Sequence, residues 1–168
     1  MRKLNILKAL INIYYYVMII AFIAGFITIP LLLFTKQSYK ISPFGHQVDI
    51  GALSGVKSIL IVIVLGLVLY FYFRAIHLMR ITIKELEEGH YFTDGVIANF
   101  KKMGTFFLIS GIGFFLFNII LKLLLESRLS ISLDSTLFFF VIVGLFFMFL
   151  SEVFKVAKDA KEENDLTI

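Results

Sequence analysis

From Ala9 to Phe34 the chain runs without a single charged residue. That stretch restricts the fold more than any other feature of the sequence. A transmembrane helix needs about 20 predominantly apolar residues. Three further apolar runs follow, Ser58–Phe73, Thr105–Leu125 and Leu137–Leu150. The residues are 60% hydrophobic, against roughly 45–50% for soluble domains, so one domain of 168 residues could not cover its own apolar surface. The sequence predicts a single all-α membrane domain, 1–168, with four transmembrane helices over 9–34, 56–79, 104–125 and 135–157. Helical extensions project into the cytoplasm, and a small extracytoplasmic β-sheet is expected outside.

The first run is read as an uncleaved helix. It is longer than the apolar core of a signal peptide, about 7–15 residues, and has no small-residue cleavage site. Tyr14, Tyr15 and Tyr16 suit the headgroup zone. Gly25 and Pro30 are placed to kink its outer half. The second run is rich in β-branched residues, but continuous apolarity without alternation favours a lipid-facing helix over a strand.

Lys and Arg set the orientation. Eleven of the sixteen fall at one end of the four runs, among them Arg2, Lys3, Lys8, Arg74 and Arg80. Lys36, Lys40, Lys57, Lys122 and Arg128 fall at the other. The positive-inside rule makes the richer side cytoplasmic and leaves both termini inside. On the outer side, 38–42 and 47–51 alternate apolar and polar residues around Pro43-Phe44-Gly45. Arg128–Asp134 alternates too. Period-two alternation predicts strands, so a hairpin from the first loop, joined by 128–134, would form the outer sheet.

The cytoplasmic stretch 74–104 reads as two helix ends meeting at a turn. Ile76, Met79, Ile83 and Leu86 lie on one helical face, with Arg74, His77, Arg80, Lys84 and Glu88 near the other. Gly89 is a natural helix stop. Thr93 or Asp94 can cap the next helix, and Asp94 also suits its positive end. Ile97, Phe100 and Met103 form an apolar face able to pack on Ile83 and Leu86. In the tail, 152–168, Lys155 with Asp159 and Lys158 with Glu162 stand four residues apart on a continued helix. The final Asn164-Asp165-Leu166-Thr167-Ile168 carries no helical signal.

The stretches EEGHYFT, NFKKMG and EVFKVAKDAKEENDLTI resemble the bacterial membrane family catalogued as domain of unknown function 2975. Its pattern falls here on Gly89, Phe92, Thr93, Lys101, Lys102 and Gly104, then on Glu163, Asn164, Asp165, Leu166 and Thr167. The resemblance covers essentially the whole chain, and the tail is its more specific part. It implies a bacterial inner-membrane protein of no established activity. It also implies a regulatory pairing with a cytoplasmic helix-turn-helix regulator of the Cro/C1 type.

Other candidate sites are few. There is no cysteine, hence no thiolate chemistry and no cysteine metal site. His46 with Asp49 reads as loop polarity rather than a metal site, and His77 and His90 as solvated side chains. Asn118 and Lys122 share a face of the third helix, where Asn118 is expected to bond a neighbouring helix and Lys122 to snorkel outward; a polar ligand path is the alternative. Glu152 can pair with Arg74 or Arg80, or stand as an interfacial charge. No Ser-His-acid set, phosphate-binding glycine loop or H-E-x-x-H is present, so neither an enzyme nor a cofactor is expected.

The reading is a signalling or regulatory membrane component whose partner contacts involve Glu88, Gly89, Phe92, Thr93, Glu163, Asn164, Asp165 and Leu166. The expected partners are the lipid bilayer and the regulator, with no direct nucleic-acid contact. The alternative is a small transporter or channel component, built as a homo-oligomer to complete a path. The absence of mid-span Asp or Glu argues against ion coupling.

Overall fold

The structure is a computed structural model. It describes residues 2–35, 40–41, 48–49, 55–126 and 135–166, with side chains described over 4–28, 55–124 and 135–166. Among the described residues four helices make the fold: α1 Arg2–Thr35, α2 Gly55–Glu87, α3 Asp94–Glu126 and α4 Ser135–Asp165. All four are long and apolar enough to cross a membrane. The 33 residues of α2 extend about 50 Å at roughly 1.5 Å per residue. Hydrocarbon takes up about 30 Å of that, so each expected span and its extension form one unbroken helix. Helix α1 passes through Gly25 and Pro30 as a single element. Helix α4 also continues through Asn164 and Asp165, two residues expected to be irregular. The Leu166 N–H still reaches back to the Glu162 carbonyl at 3.2 Å.

The expected outer sheet is not borne out. The first loop carries one short antiparallel ladder, Lys40 opposite Asp49 and Ile41 opposite Val48. Two residues of each strand are described, and an isolated hairpin is marginal in water. The other expected strand, 128–134, lies outside the described residues, as does His46.

Neighbouring helices follow chain order, α1 on α2, α2 on α3 and α3 on α4, and the last contact is the most extensive. Its seam is built from phenylalanine. Phe100, Phe107 and Phe114 of α3 recur every seven residues, as do Phe140, Phe147 and Phe154 of α4. Seven residues make two helical turns, so each set lines one edge of its helix. The rings interleave: Phe114 on Phe140 at 5.5 Å, Phe107 on Phe147 at 5.6 Å and Phe100 on Phe154 at 5.0 Å between centroids. Where the helices come closest, Gly104 faces Gly144. A Cβ on Gly104 would sit 2.6 Å from the Gly144 carbonyl oxygen and 2.5 Å from Met148 Cγ. That explains a glycine in the middle of a helix, where it otherwise costs stability relative to alanine.

The α1–α2 seam is different. Near its start α1 meets α2 through polar groups. Lys8 pairs with Glu87, and the hydroxyls of Tyr14 and Tyr72 lie 2.6 Å apart. Arg80 Nε donates to Asn12 Oδ1 at 2.7 Å, and its guanidinium lies over the rings of Tyr15 and Tyr16. His77 Nδ1 lies 3.2 Å from the Tyr15 hydroxyl. His77 was expected to be solvated. It is half-buried because the polar face of α2 receives α1. Further along, the two helices part around an apolar crevice of about 160 Å³ beside Gly25 and Gly66.

Candidate functional site: a recess between the turn and the end of α4

The turn that joins α2 to α3 is fixed by its own backbone chemistry. Gly89 takes φ = +87°, a left-handed conformation that glycine adopts without steric cost. The His90 N–H then donates to the Glu85 carbonyl at 3.0 Å and the Gly89 N–H to that of Leu86 at 3.3 Å. This nested pair of bonds closes the end of α2. Four residues later Thr93 opens α3. Its Oγ1 accepts from the Val96 N–H at 3.3 Å and its carbonyl from the Ile97 N–H at 3.1 Å, so Thr93 rather than Asp94 is the cap. Asp94 occupies the first helical position, where the helix dipole favours a carboxylate.

Helix α4 is fastened beside this turn. Ser151 Oγ donates to the Ile97 carbonyl at 2.8 Å. Phe154 packs between Phe100 and Phe92, 5.8 Å from the latter. Lys158 Nζ donates to Asp94 Oδ1 at 2.8 Å and lies 3.5 Å from Glu162. The hydrogen bond to Asp94 is the main reason that the Lys158 ammonium is held above its ordinary pKa. Beneath these contacts Val96 and Met103 are fully buried and Phe100 nearly so. Leu86 packs against the same cluster, as the sequence pattern predicts.

An open recess of about 520 Å³ lies between the two segments. Residues Gly89–Thr93 form one wall, and Lys158, Lys161, Glu162 and Asp165 of α4 form the other. Tyr91 and Phe92 are 39% and 38% exposed, large values for aromatic side chains with apolar neighbours. The Asp165 carboxylate has no hydrogen bond or ion pair among the described residues. The recess therefore offers aromatic faces and a carboxylate left for something else to bond.

Of the residues singled out from sequence, Gly89, Phe92, Thr93 and Asp165 meet at this recess. Glu88 stands at its edge, 3.7 Å from Lys84 and 3.9 Å from His90. Glu163 and Asn164 are exposed on the last turn of α4, and Leu166, just past it, is 88% exposed. The intramembrane candidates lie elsewhere. Glu152 is exposed and has no ion pair among the described residues with Arg74 or Arg80. Arg74 is exposed too, while Arg80 turns to α1, which offers it an amide, a hydroxyl and two ring faces. Asn118 is half-buried and forms no interhelical hydrogen bond among the described residues. Lys122 is 9% exposed and does not lack a partner.

Sequence reasoning missed the Ser151–Ile97 bond, the Lys158–Asp94 pair and the role of Phe92 as the last rung of the phenylalanine ladder. The sevenfold spacing of Phe on α3 and α4 was the available signal for the ladder. Nothing in the sequence signals the two polar contacts, because each joins residues far apart in the chain.

No curated protein and no solved structure matches the chain. The family described as "Protein of unknown function (DUF2975)" matches residues 14–168, which includes all the turn and tail residues quoted above. On that match, covering nearly the whole chain, the protein belongs to the DUF2975 family.

Proposed function

We propose that the protein is a regulatory component of the bacterial inner membrane, with the turn and both termini in the cytoplasm, and that its recess is where a soluble partner docks. The carrying observation is that the turn and the end of α4, more than sixty residues apart in sequence, form one recess in which Tyr91, Phe92 and the Asp165 carboxylate stay exposed. Gly89, Thr93 and Gly104 have structural duties: they stop a helix, start a helix and admit a close contact. Asn164, Asp165 and Leu166 have no such duty, so recognition is the reading that accounts for them. The excess of Lys and Arg at this end supports a cytoplasmic placement.

Helix α4 supplies the route for a signal. It is one element from Ser135 to Asp165, zipped to α3 by aromatic rings and reaching the recess with its last two turns. A change at the outer end that shifts α4 along or about its axis would alter the recess directly. The partner in this reading is the helix-turn-helix regulator that the family resemblance implies. Recovery of bound protein from membranes, with the full chain and with residues 164–168 deleted, tests the reading. Tail-dependent recovery of one protein is expected, and unchanged recovery from the deletion variant counts against it.

A further inference from the structure

We propose that two copies of the chain pair in the membrane through the face of α4 turned away from α3, as a parallel coiled coil. The inference is independent of the regulatory reading above. Helix α4 carries two seams of heptad spacing. Phe140, Gly144, Phe147, Ser151 and Phe154 make the seam that α3 covers. Phe139, Ile142, Phe146 and Phe149 begin the other, and Val153, Val156 and Ala160 continue it. Its steps alternate between three and four residues without a break, the spacing of the two core positions of a heptad. At about 3.6 residues per turn the two seams lie on nearly opposite sides of the helix. Every residue of the second seam is exposed.

The first four of these side chains decide nothing, because hydrocarbon solvates them as well as a protein would. The valines decide. Ser151 bonds to Ile97 and Lys158 to Asp94, so Val153 and Val156 stand level with the first turns of α3. Lys101 and Lys102 lie nearer the bilayer, which places this part of α4 beyond the hydrocarbon. Along 94–104 α3 exposes only Asp94, Gly95, Ala98, Lys101 and Lys102. At the same depth α4 leaves Val153 43% and Val156 68% exposed. An apolar seam carried on from the bilayer into water calls for a protein surface to cover it.

A second copy fits that surface. Copies inserted with one orientation bring their α4 helices side by side and parallel, so each seam residue meets its own counterpart across a two-fold axis. In that register the residue before each first core position faces the one five places on in the other helix. Glu152 then stands opposite Ala157 and Asp159 opposite Asn164, so no like charges meet. Lys155 and Glu162 point away from the seam. Lys158, Lys161, Glu162 and Asp165 line the recess on the other side of α4, so pairing leaves the recess open.

The chain has no cysteine, so single cysteines report on the pair without interference. The test oxidises the full-length variants in isolated membranes and reads covalent dimer on a gel. A disulfide needs Cα atoms within about 7 Å, so Val153→Cys, Val156→Cys and Ala160→Cys should give dimer, and Lys155→Cys and Glu162→Cys less than about a tenth as much. Adding Val153→Glu and Val156→Glu to the Ala160→Cys variant should lower its dimer yield about tenfold, through like charges brought together in the seam. Adding Lys155→Glu instead should leave the yield unchanged. Thermal unfolding of each variant checks that the bundle is intact. Equal yields at all five positions, no dimer at any of them, or a yield that survives the two glutamates overturns the inference. A covalent adduct of the Val156→Cys variant with a different protein, in place of the dimer, overturns it too and gives the seam to that protein.

Discussion

The two outer pairs of this bundle are held together by opposite means. Between α3 and α4 the contact is apolar and continuous: a ladder of phenylalanines runs its length, and two glycines let the backbones touch. Between α1 and α2 it is largely polar and lies toward one end, and beyond Ile19 an apolar crevice opens between the helices. Only 6% of the α1 span is buried inside the protein, against 33% of the α3 span. In lipid the difference has a clear physical meaning. Hydrocarbon solvates an apolar side chain as well as a protein interior does, so helices associate through close packing and polar contacts rather than through hydrophobic transfer. The α3–α4 pair uses the first means and α1–α2 the second. The closely packed α3–α4 pair carries the recess, and α1 is the helix with the smallest buried share.

The sharpest way to break this comparison is Phe107→Ala beside Phe26→Ala. Phe107 is 5% exposed in the middle of the ladder, and Phe26 on α1 is 76% exposed. The first should cost about 3 kcal/mol, the low end for deleting a buried ring, because in lipid the cavity remains as a penalty while the transfer penalty shrinks. The second should cost less than about 0.5 kcal/mol. Unfolding in detergent with increasing SDS reads both, and equal losses would show that α1 is packed as firmly as α3. Gly104→Ala is next, at about 2 kcal/mol, since the new methyl would press on a backbone oxygen that cannot rotate away. Ser151, four residues from Phe147, gives a second readout. Separation of the helices should also expose Ser151 to solvent, which thiol labelling of Ser151→Cys in this cysteine-free chain detects.

Much of this was legible in the sequence, for identifiable reasons. Four helices follow from four apolar runs that together hold more apolar surface than one small soluble domain could cover. The turn was legible because Gly89 and Thr93 act on neighbouring backbone groups, and local chemistry is written locally. The polar face of α2 was visible but misassigned. Arg80 and His77 were read as facing water or α4, because helical periodicity shows that a face is polar and not which element covers it. The partner face was in view on α1, where Lys8, Asn12 and Tyr16 recur every four residues. Reading the two faces together would have joined them. The recess was half legible. Its two walls were chosen from sequence, but their meeting depends on Lys158 reaching Asp94 and Phe154 reaching Phe92, contacts that need the folded bundle.

Weaker effects test the α1–α2 side. Tyr14→Phe, Tyr72→Phe and the double variant form a cycle whose coupling should be about 0.6 kcal/mol, the average for hydroxyl-type contacts between membrane helices. A coupling near zero would remove that bond from the clasp and leave Lys8–Glu87 and the Arg80 contacts to hold α1.

The smallest effect has the opposite sign. A Cβ on Gly25 or Gly66 meets nothing within 4 Å, so neither glycine is needed for helix contact. Replacing both with alanine should raise stability slightly, by about 0.5 kcal/mol, through the lower backbone entropy of the unfolded chain. Gly104→Ala, by contrast, destabilises, so one chemical change made on two seams separates them by sign as well as by size. A clear loss of stability in the Gly25→Ala, Gly66→Ala variant would mean that the crevice closes in the membrane and that the glycines face one another there. The contrast between the two helix pairs would then be confined to their chemistry and would not extend to their packing.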